Sequence, residues 1–471
     1  MPSGMAPDVV PKMESPVTLD ASAESISTRI VWHVARCASH TVPMPVRNLL
    51  LACWLAVVCA SAQPLSPLQN KIVDAVNADE QQSLTLLEQL VNINSGTLNT
   101  AGVRKVADVL RPQFEALGFT CRFIPMDAVK RAGHLVAERK GTHGKRVLLI
   151  GHMDTVFEPD SPFQKFVRNG DKATGPGSED MKGGLVIMLS ALKALNSAGA
   201  LDGANITVFL TGDEERHGNP VSISRGDLIE AGKSSDAALE FEAGVRVAGH
   251  DEASIARRSS YSWTLNTTGK EAHSAGVFGS SGFGAIYELT RILDRFRQEL
   301  REEGVTYNVG LIAGGSTVTA GTGNASISAT GKSNIIPAAA QASGDLRTVT
   351  EEQYEKIRHH MEKIVAEHLA GTSATLTFGE GYPSMPETEA NRELLRELNG
   401  VNRSLGLDVM EPYDPTLRGA GDLSFVAPYT AGISGLGSFG KGSHAPGETL
   451  ELNSQTYQTR RVALFLYALT R

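Results

Sequence analysis

The feature that most constrains the fold is a strand, a helix and a second strand in direct succession in the middle of the chain. Residues 147–150 and 206–210 are short apolar runs bounded by turn residues, which is typical of strands. Between them, residues 181–196 place leucine and methionine on one helical face and end near Gly199. This alternation predicts an α/β domain with helices on both faces of its sheet.

Two helices and two strands precede this succession. Apolar residues recur at helical spacing in residues 66–90 and 102–117, and Gly118 follows as a C-terminal cap of the second helix. Short apolar runs at residues 121–124 and 135–138 predict strands. These elements extend the same α/β domain toward the N-terminus.

An inserted unit interrupts the domain. From about residue 254 to 378, strands alternate with long helices at residues 284–300 and 351–368, which predicts an α+β unit. Helices at residues 387–405 and 455–469 return to the first domain. A chain of 471 residues exceeds the size that one core serves. We therefore predict a catalytic domain in two parts and one insertion, at residues 63–253 and 379–471 and at residues 254–378.

The N-terminal region resembles an export signal. Arg47 precedes an apolar run at residues 49–60, and Ala60-Ser-Ala62 forms a small-x-small cleavage site. Residues 44–62 are therefore predicted to be a signal peptide, with a buried helix as the alternative. Residues 1–43 lack apolar periodicity, which favours an upstream mis-start or a disordered segment, with Met44 as the first residue. The expected location is periplasmic or secreted, with no membrane attachment after cleavage.

The cysteine content and the net charge limit the disulfides and the partners that the mature chain can have. Cleavage after Ala62 leaves Cys121 as the sole cysteine, so the mature chain cannot form an intramolecular disulfide. The net charge of −8 argues against nucleic acid as a partner.

Two residues just after the strand at residues 147–150 are candidates for metal chemistry. The strand at residues 147–150 leads directly into His152 and Asp154. Their side chains point the same way, at the strand end where open α/β sheets bind ligands. A metal-bound imidazole needs its second nitrogen held, and Asp154 is a candidate for that role. Alone, the pair is equally compatible with a structural role.

A glycine-rich turn supplies the next candidate. The segment Gly175-Pro-Gly-Ser-Glu-Asp-Met-Lys-Gly-Gly184 delivers Asp180 to the start of a helix. Asp180 is a metal-ligand candidate, with a helix N-cap as the alternative. Within this segment, the spacings of phosphate-binding and dinucleotide-binding loops are absent.

Acidic residues and a histidine complete the set. Glu214 and Glu215 follow the strand at residues 206–210, where solvation of a loop is the alternative reading. Glu242 follows another strand end, and His444 lies in a loop before the last helix. Histidine and carboxylate ligands together suit zinc. The sequence contains no H-E-x-x-H motif, and no G-x-S-x-G nucleophile motif.

The order H-M-D, G-x-G-x-x-D-M-K-G-G, D-E-E, F-E and S-H resembles a dinuclear zinc family. This family includes glutamate carboxypeptidase, succinyl-diaminopimelate desuccinylase, acetylornithine deacetylase and aminoacylase, and the resemblance is closest to the first. It implies a zinc-peptidase catalytic domain with a mixed central sheet. It also implies two Zn²⁺ ions per chain, with Co²⁺ or Mn²⁺ as alternatives. Asp180 would bridge them, with His152 and Glu242 on one ion, Glu215 and His444 on the other, and Glu214 as general base.

The insertion resembles the lid of that family, which is also its dimerisation domain. The resemblance implies a homodimer in which His273 reaches the partner's active site, with a surface histidine as the alternative. Asn334 and Arg347 match lid residues that contact substrate, although a salt bridge within the lid is the other reading of Arg347. A family arginine has no counterpart at residues 378–383, and Arg418 is the candidate substitute.

The resemblance predicts a metal-dependent exopeptidase of glutamate carboxypeptidase type. It would hydrolyse the amide bond next to a C-terminal residue that bears a free carboxylate. The alternative is an N-acyl-amino-acid deacylase that uses the same metals and base. A non-catalytic binding module is disfavoured because Glu214 is intact. The expected substrate is therefore a small peptide or an N-acyl amino acid.

Overall fold

The computed structural model describes residues 64–321 and 326–471. The predicted signal peptide at residues 44–62, and residues 1–43 before it, lie outside the described residues. Within the described ranges, no helix combines the length and apolar character needed to cross a membrane. The helices are α1 (Pro67–Val91), α2 (Thr100–Ala116), α3 (Gly183–Ala198), α4 (Val221–Ser224), α5 (Gly226–Lys233), α6 (Ala285–Glu299), α7 (Glu351–Ala366), α8 (Glu389–Ser404), α9 (Leu423–Val426) and α10 (Leu452–Leu469).

The strands form one large sheet, a second sheet and several short pairs. In chain order they are β1 (Thr120–Met126), β2 (Arg131–Arg139), β3 (His143–His152), β4 (Val167–Asn169), β5 (Lys172–Thr174), β6 (Ala204–Thr211), β7 (Ala237–Glu240), β8 (Val245–Val247), β9 (His250–Ala253), β10 (Tyr261–Gly269), β11 (Ala272–His273), β12 (Thr306–Tyr307), β13 (Leu311–Gly315), β14 (Thr317–Ala320), β15 (Ile327–Thr330), β16 (Ile335–Ile336), β17 (Ala339–Arg347), β18 (Thr372–Phe378), β19 (Glu411–Pro412), β20 (Ala431–Ile433), β21 (Gly440–Lys441) and β22 (Thr449–Glu451).

The central sheet has the strand order β1-β2-β6-β3-β7-β20. Strands β6, β3, β7 and β20 run parallel to one another, whereas β2 pairs antiparallel with both β6 and β1. Alternate residues of β3 enter different cores: Leu149 packs with α1, α3 and α10, and Leu148 packs with Leu228 of α5 and Val426 of α9. The predicted α/β fold, with a mixed sheet and helices on both faces, is confirmed.

Local caps explain why the helix ends were predictable. Ser66 and Gln69 form a reciprocal capping box at the start of α1, where Pro67 occupies the first turn. Gly118 and Gly199 follow α2 and α3 with φ of 79° and 72°, a left-handed conformation that glycine adopts without steric cost.

The second sheet is built within the predicted insertion. Its order is β12-β17-β10-β18, and β13 also pairs with β17. Helices α6 and α7 pack against it around Trp263, Phe296 and Met361, which form a core separate from that of the central sheet.

Candidate metal centre

The C-terminal ends of three adjacent parallel strands meet at one edge of the central sheet. His152 is the last residue of β3, and Glu242 lies two residues beyond the end of β7. Glu214 and Glu215 follow the end of β6. Because these strands are parallel neighbours, their ends gather the three elements at the place where open α/β sheets bind ligands.

Asp180 lies between two histidines. It belongs to the turn Ser178–Lys182 before α3, with φ of −115° and ψ of 91°, and makes no N-cap hydrogen bond. Its Oδ1 is 3.1 Å from His152 Nε2, and its Oδ2 is 3.0 Å from His444 Nε2. The N-cap alternative is therefore excluded, and each oxygen of this carboxylate faces a different imidazole.

Two overlapping groups of ligand atoms result, each within 4.8 Å. Glu242 Oε1 lies 3.5 Å from His152 Nε2, and Glu215 Oε2 lies 3.1 Å from His444 Nε2. The first group is His152, Asp180 and Glu242, and the second is Asp180, Glu215 and His444. The shared Asp180 matches the arrangement expected of a ligand that bridges two ions.

The site concentrates negative charge away from water. Burial, together with neighbouring carboxylates, raises the pKa of Glu214 well above its usual range, and raises that of Glu215 to about 7. Hydrogen bonds with Asp180 and Glu215 raise the pKa of His444 to about 11. Buried carboxylates facing imidazole nitrogens are ligands that suit a pair of divalent cations, so these residues fit a dinuclear metal centre.

Asp154 holds the segment that carries the acidic pair. Its carboxylate accepts the backbone N–H groups of Glu214 at 3.0 Å and Glu215 at 3.1 Å, and the Thr97 hydroxyl at 2.6 Å. The Nδ1 atom of His152 lies 3.1 Å from the Asp154 carbonyl oxygen and 3.5 Å from its carboxylate. Asp154 therefore positions the acidic segment as well as contacting His152.

Sequence reasoning missed Glu448, which anchors the glycine-rich turn. This fully buried carboxylate accepts the backbone N–H groups of Gly177 at 3.0 Å, Glu179 at 2.6 Å and Asp180 at 3.0 Å. Glu448 shares a short loop with His444, which was the available signal. Its partner Asp180 lies 268 residues away in sequence, so local pattern could not reveal the contact.

A buried arginine also escaped prediction. Arg225 is fully buried and donates to Asp213 Oδ1 at 2.6 Å and to Asp422 Oδ1 at 2.7 Å. It also donates to the Asp213 carbonyl at 3.2 Å. Arg225 thus fixes the residue directly before Glu214.

Arg418 borders the metal-ligand groups. It donates to the Ala243 carbonyl at 2.8 Å, and its Nη2 lies 3.9 Å from Glu242 Oε2. Its buried Nε has no hydrogen-bond partner among the described residues. Arg418 is thus at the edge of the site, where an incoming anion would meet a cation.

The predicted lid residues lie apart from this cluster. The exposed His273 accepts the Ala275 N–H at its Nδ1, at 3.1 Å, and the Asn334 carbonyl accepts the Ser274 N–H at 2.9 Å. Arg347 donates to Asp345 at 2.8 Å, so within one chain it forms the salt bridge that was the alternative reading. In the described part of the chain, no hydrogen bond or ion pair joins His273, Asn334 or Arg347 to the metal-ligand groups.

The fold and the site together define a metal-dependent hydrolase. Residues 148–468 match the family model described as Peptidase family M20/M25/M40. The chain belongs to this family, which confirms the predicted metallopeptidase class.

Individual relatives span most of the chain. Carboxypeptidase G2 of Pseudomonas sp. (strain RS-16) is 28% identical over 358 residues, which cover 74% of this chain and 80% of that protein. Succinyl-diaminopimelate desuccinylase of Dechloromonas aromatica (strain RCB) is 24% identical over 395 residues, covering 79% and 94%. A tripeptidase from Staphylococcus aureus subsp. aureus mu50 superposes with a TM-score of 0.65 at 20% identity, covering 83% of this chain and 99% of that chain.

Proposed function

We propose that this protein is a zinc-dependent carboxypeptidase that releases a C-terminal residue bearing a free carboxylate from small peptides. The observation that carries the proposal is the buried Glu214 carboxylate, which interacts electrostatically with His152 and Glu242 of one ligand group and with Glu215 of the other. Similarity to carboxypeptidase G2, at 28% identity, favours this activity. The unpaired donor of Arg418 beside Glu242 suits a substrate carboxylate.

Different residues of the site would bind the metal ions and transfer the proton during hydrolysis. His152, Asp180 and Glu242 would hold one ion, and Asp180, Glu215 and His444 the other. Bound ions would lower the pKa of water and polarise the substrate carbonyl. The Glu214 carboxylate makes no hydrogen bond with the described residues, so it is available to accept a proton from the attacking water. It then returns that proton to the leaving amine nitrogen.

Glu214→Gln tests this role because glutamine keeps the shape but cannot accept the proton. Turnover of a dipeptide panel should fall at least ~10²-fold, while bound metal stays at the wild-type level. Glu230→Gln, which alters an exposed glutamate paired with Lys233, is the matched control and should retain activity. Wild-type turnover in the Glu214→Gln variant would refute the general-base assignment.

N-acyl-amino-acid deacylation is the second candidate, because the desuccinylase relative aligns over 94% of its length. Kinetics on matched dipeptides and N-acetyl or N-succinyl amino acids separate the two. A higher kcat/KM for dipeptides supports the carboxypeptidase, whereas a strong preference for acylated substrates would replace it with the deacylase.

The metal identity needs its own measurement. Histidine and carboxylate ligands suit zinc, but they also accept cobalt or manganese. Elemental analysis of protein purified without added metal should find two zinc ions per chain. Predominance of another metal would revise this part of the proposal.

We further propose that the mature protein is exported and forms a homodimer through its lid. Export is supported by the signal-like residues 44–62, and N-terminal sequencing of secreted protein should begin at Gln63. Retention of residues 44–62 in secreted protein would contradict cleavage there. The dimer is supported by His273, which is exposed and unconnected to its own chain's site.

Complementation tests the dimer. Glu214→Ala and His273→Ala chains, each impaired alone, should regain activity when co-expressed, because one mixed site then has both residues intact. Absence of rescue in a confirmed mixed dimer would contradict a role for His273 in the partner's site.

A further inference from the structure

The two chain crossings between the central domain and the lid pair with each other. Ser260 and Tyr382 exchange backbone hydrogen bonds of 2.9 and 3.0 Å, and Arg257 and Met385 exchange bonds of 2.8 and 2.9 Å. We call these paired segments, residues 257–260 and 382–385, the hinge ribbon. Any movement of the lid relative to the central sheet must pass through this ribbon.

One side chain of the hinge ribbon reaches the acidic segment of the site. The Tyr382 hydroxyl donates to the Glu214 carbonyl oxygen at 2.8 Å and accepts from Arg225 at 2.7 Å. The phenol is 7% exposed, and its ring packs against Phe425 at a centroid distance of 5.0 Å. Tyr382 is therefore held in place on both its ring and its hydroxyl.

The acidic segment, residues 213–215, is anchored from three directions. Asp154 accepts the N–H groups of Glu214 and Glu215, and Arg225 holds Asp213. Among the described residues, Tyr382 is the donor to the Glu214 carbonyl. That carbonyl lies in the peptide plane between the proposed base and a metal ligand, so its rotation turns both side chains.

We propose that Tyr382 is a positioning residue that sets the orientation of Glu214 and links it to the hinge of the lid. The inference rests on the proposed function, since it assigns a role to the geometry of the proposed base.

Tyr382→Phe removes the hydroxyl and keeps the ring against Phe425. We expect kcat to fall about 10- to 100-fold, the usual effect of removing a group that orients a metal-site residue without binding the metal itself. KM should change less than about twofold. Metal content should be unchanged. Amide exchange in peptides covering residues 212–218 of the metal-free protein should lose about 2- to 10-fold of its protection, the value of one hydrogen bond.

Tyr457→Phe is the matched control. Its hydroxyl accepts from Arg246 at 2.5 Å and donates to Asp251 at 3.3 Å, in the same domain but away from the acidic segment. It should leave kcat and the exchange of residues 212–218 unchanged. A second variant, Phe425→Leu, loosens the same phenol without removing its hydroxyl, and should change both readouts in the same direction as Tyr382→Phe.

The outcomes separate the inference from the function on which it rests. Unchanged kcat and exchange in Tyr382→Phe, or in Phe425→Leu should the first variant fail to fold, would overturn the positioning role. A lower melting temperature with wild-type kcat per bound metal would assign Tyr382 a structural role only, and also overturn it. If wild-type protein hydrolyses no peptide, yet exchange rises in Tyr382→Phe and not in Tyr457→Phe, the proposed function fails while the anchoring contact stands.

Discussion

Glu448→Gln is the substitution that best tests how the fold holds Asp180 between the two imidazoles. The Glu448 carboxylate accepts three backbone N–H groups, with Oε1 facing Glu179 and Asp180 and Oε2 facing Gly177. The substituted glutamine retains one acceptor oxygen. In its favoured orientation this oxygen stays in the place of Oε1 and still accepts from Glu179 and Asp180. The amide NH2 group then faces the Gly177 N–H, which loses its acceptor.

The expected cost follows from these contacts. One buried backbone donor loses its acceptor, which costs about 1–3 kcal/mol. At pH 8, above the pKa of about 7 to which burial raises the Glu448 carboxyl, the two remaining hydrogen bonds change from charged to neutral, and charged ones are roughly twice as strong. We therefore expect Glu448→Gln to lower the free energy of unfolding of the metal-free protein by about 2–4 kcal/mol. Metal affinity should also fall about 10- to 100-fold, because the turn that presents Asp180 is loosened.

Urea unfolding followed by circular dichroism, and metal titration, measure the two effects. Glu451→Gln is the control on the neighbouring strand, where an ion pair with Arg246 at the surface contributes at most about 1 kcal/mol. The reasoning is refuted if Glu448→Gln matches the control in both stability and metal affinity.

Three further predictions concern the buried polar groups and the metals. Arg225→Met leaves two buried carboxylates unpaired and should cost about 3–5 kcal/mol of stability in urea unfolding; a loss below 1 kcal/mol would contradict it. With free metal at 100 times its Kd, chelation should remove about 2.7 kcal/mol and lower the Tm in calorimetry, and an unchanged Tm would argue against a folded-state site. His134 is neutral because Nδ1 accepts from Gly212 and Nε2 lies 2.8 Å from the Ser224 carbonyl, and burial lowers its pKa below 6.5. Below pH 6.5 the unfolded protein binds a proton at His134 that the folded protein does not. The stabilisation contributed by His134 is therefore present above pH 6.5 and is lost below it, at up to about 1.4 kcal/mol per pH unit. His134→Gln should flatten this slope, and a slope equal to that of the wild type would be the contrary result.

Much of the central domain was predictable because its signals are local. Capping residues fix helix boundaries through contacts within a few residues, as Ser66 does at the start of α1 and Gly199 at the end of α3. The strand-end positions of His152 and Glu242 follow from the shared edge of parallel strands. Their convergence needed the fold class alone, without knowledge of side-chain packing.

The supporting contacts were not predictable for the opposite reason. Glu448 and Tyr382 act on residues 268 and 168 positions away. The loop that Glu448 shares with His444 marks its neighbourhood but does not identify its partner, and no local signal marks Tyr382. Arg347 illustrates the converse case. Residues two apart on a strand share a face, so Asp345 and Arg347 on β17 meet before any substrate arrives. The salt bridge within the lid could therefore be anticipated as the alternative.

Anomalous diffraction at the zinc edge, on crystals of zinc-loaded protein, tests the central claim most directly. Two peaks are expected, one about 2.0–2.2 Å from His152 Nε2 and carboxylate oxygens of Asp180 and Glu242. The other should lie at similar distances from His444 Nε2 and oxygens of Asp180 and Glu215. A single peak, or peaks away from Asp180, would contradict a dinuclear centre bridged by that carboxylate.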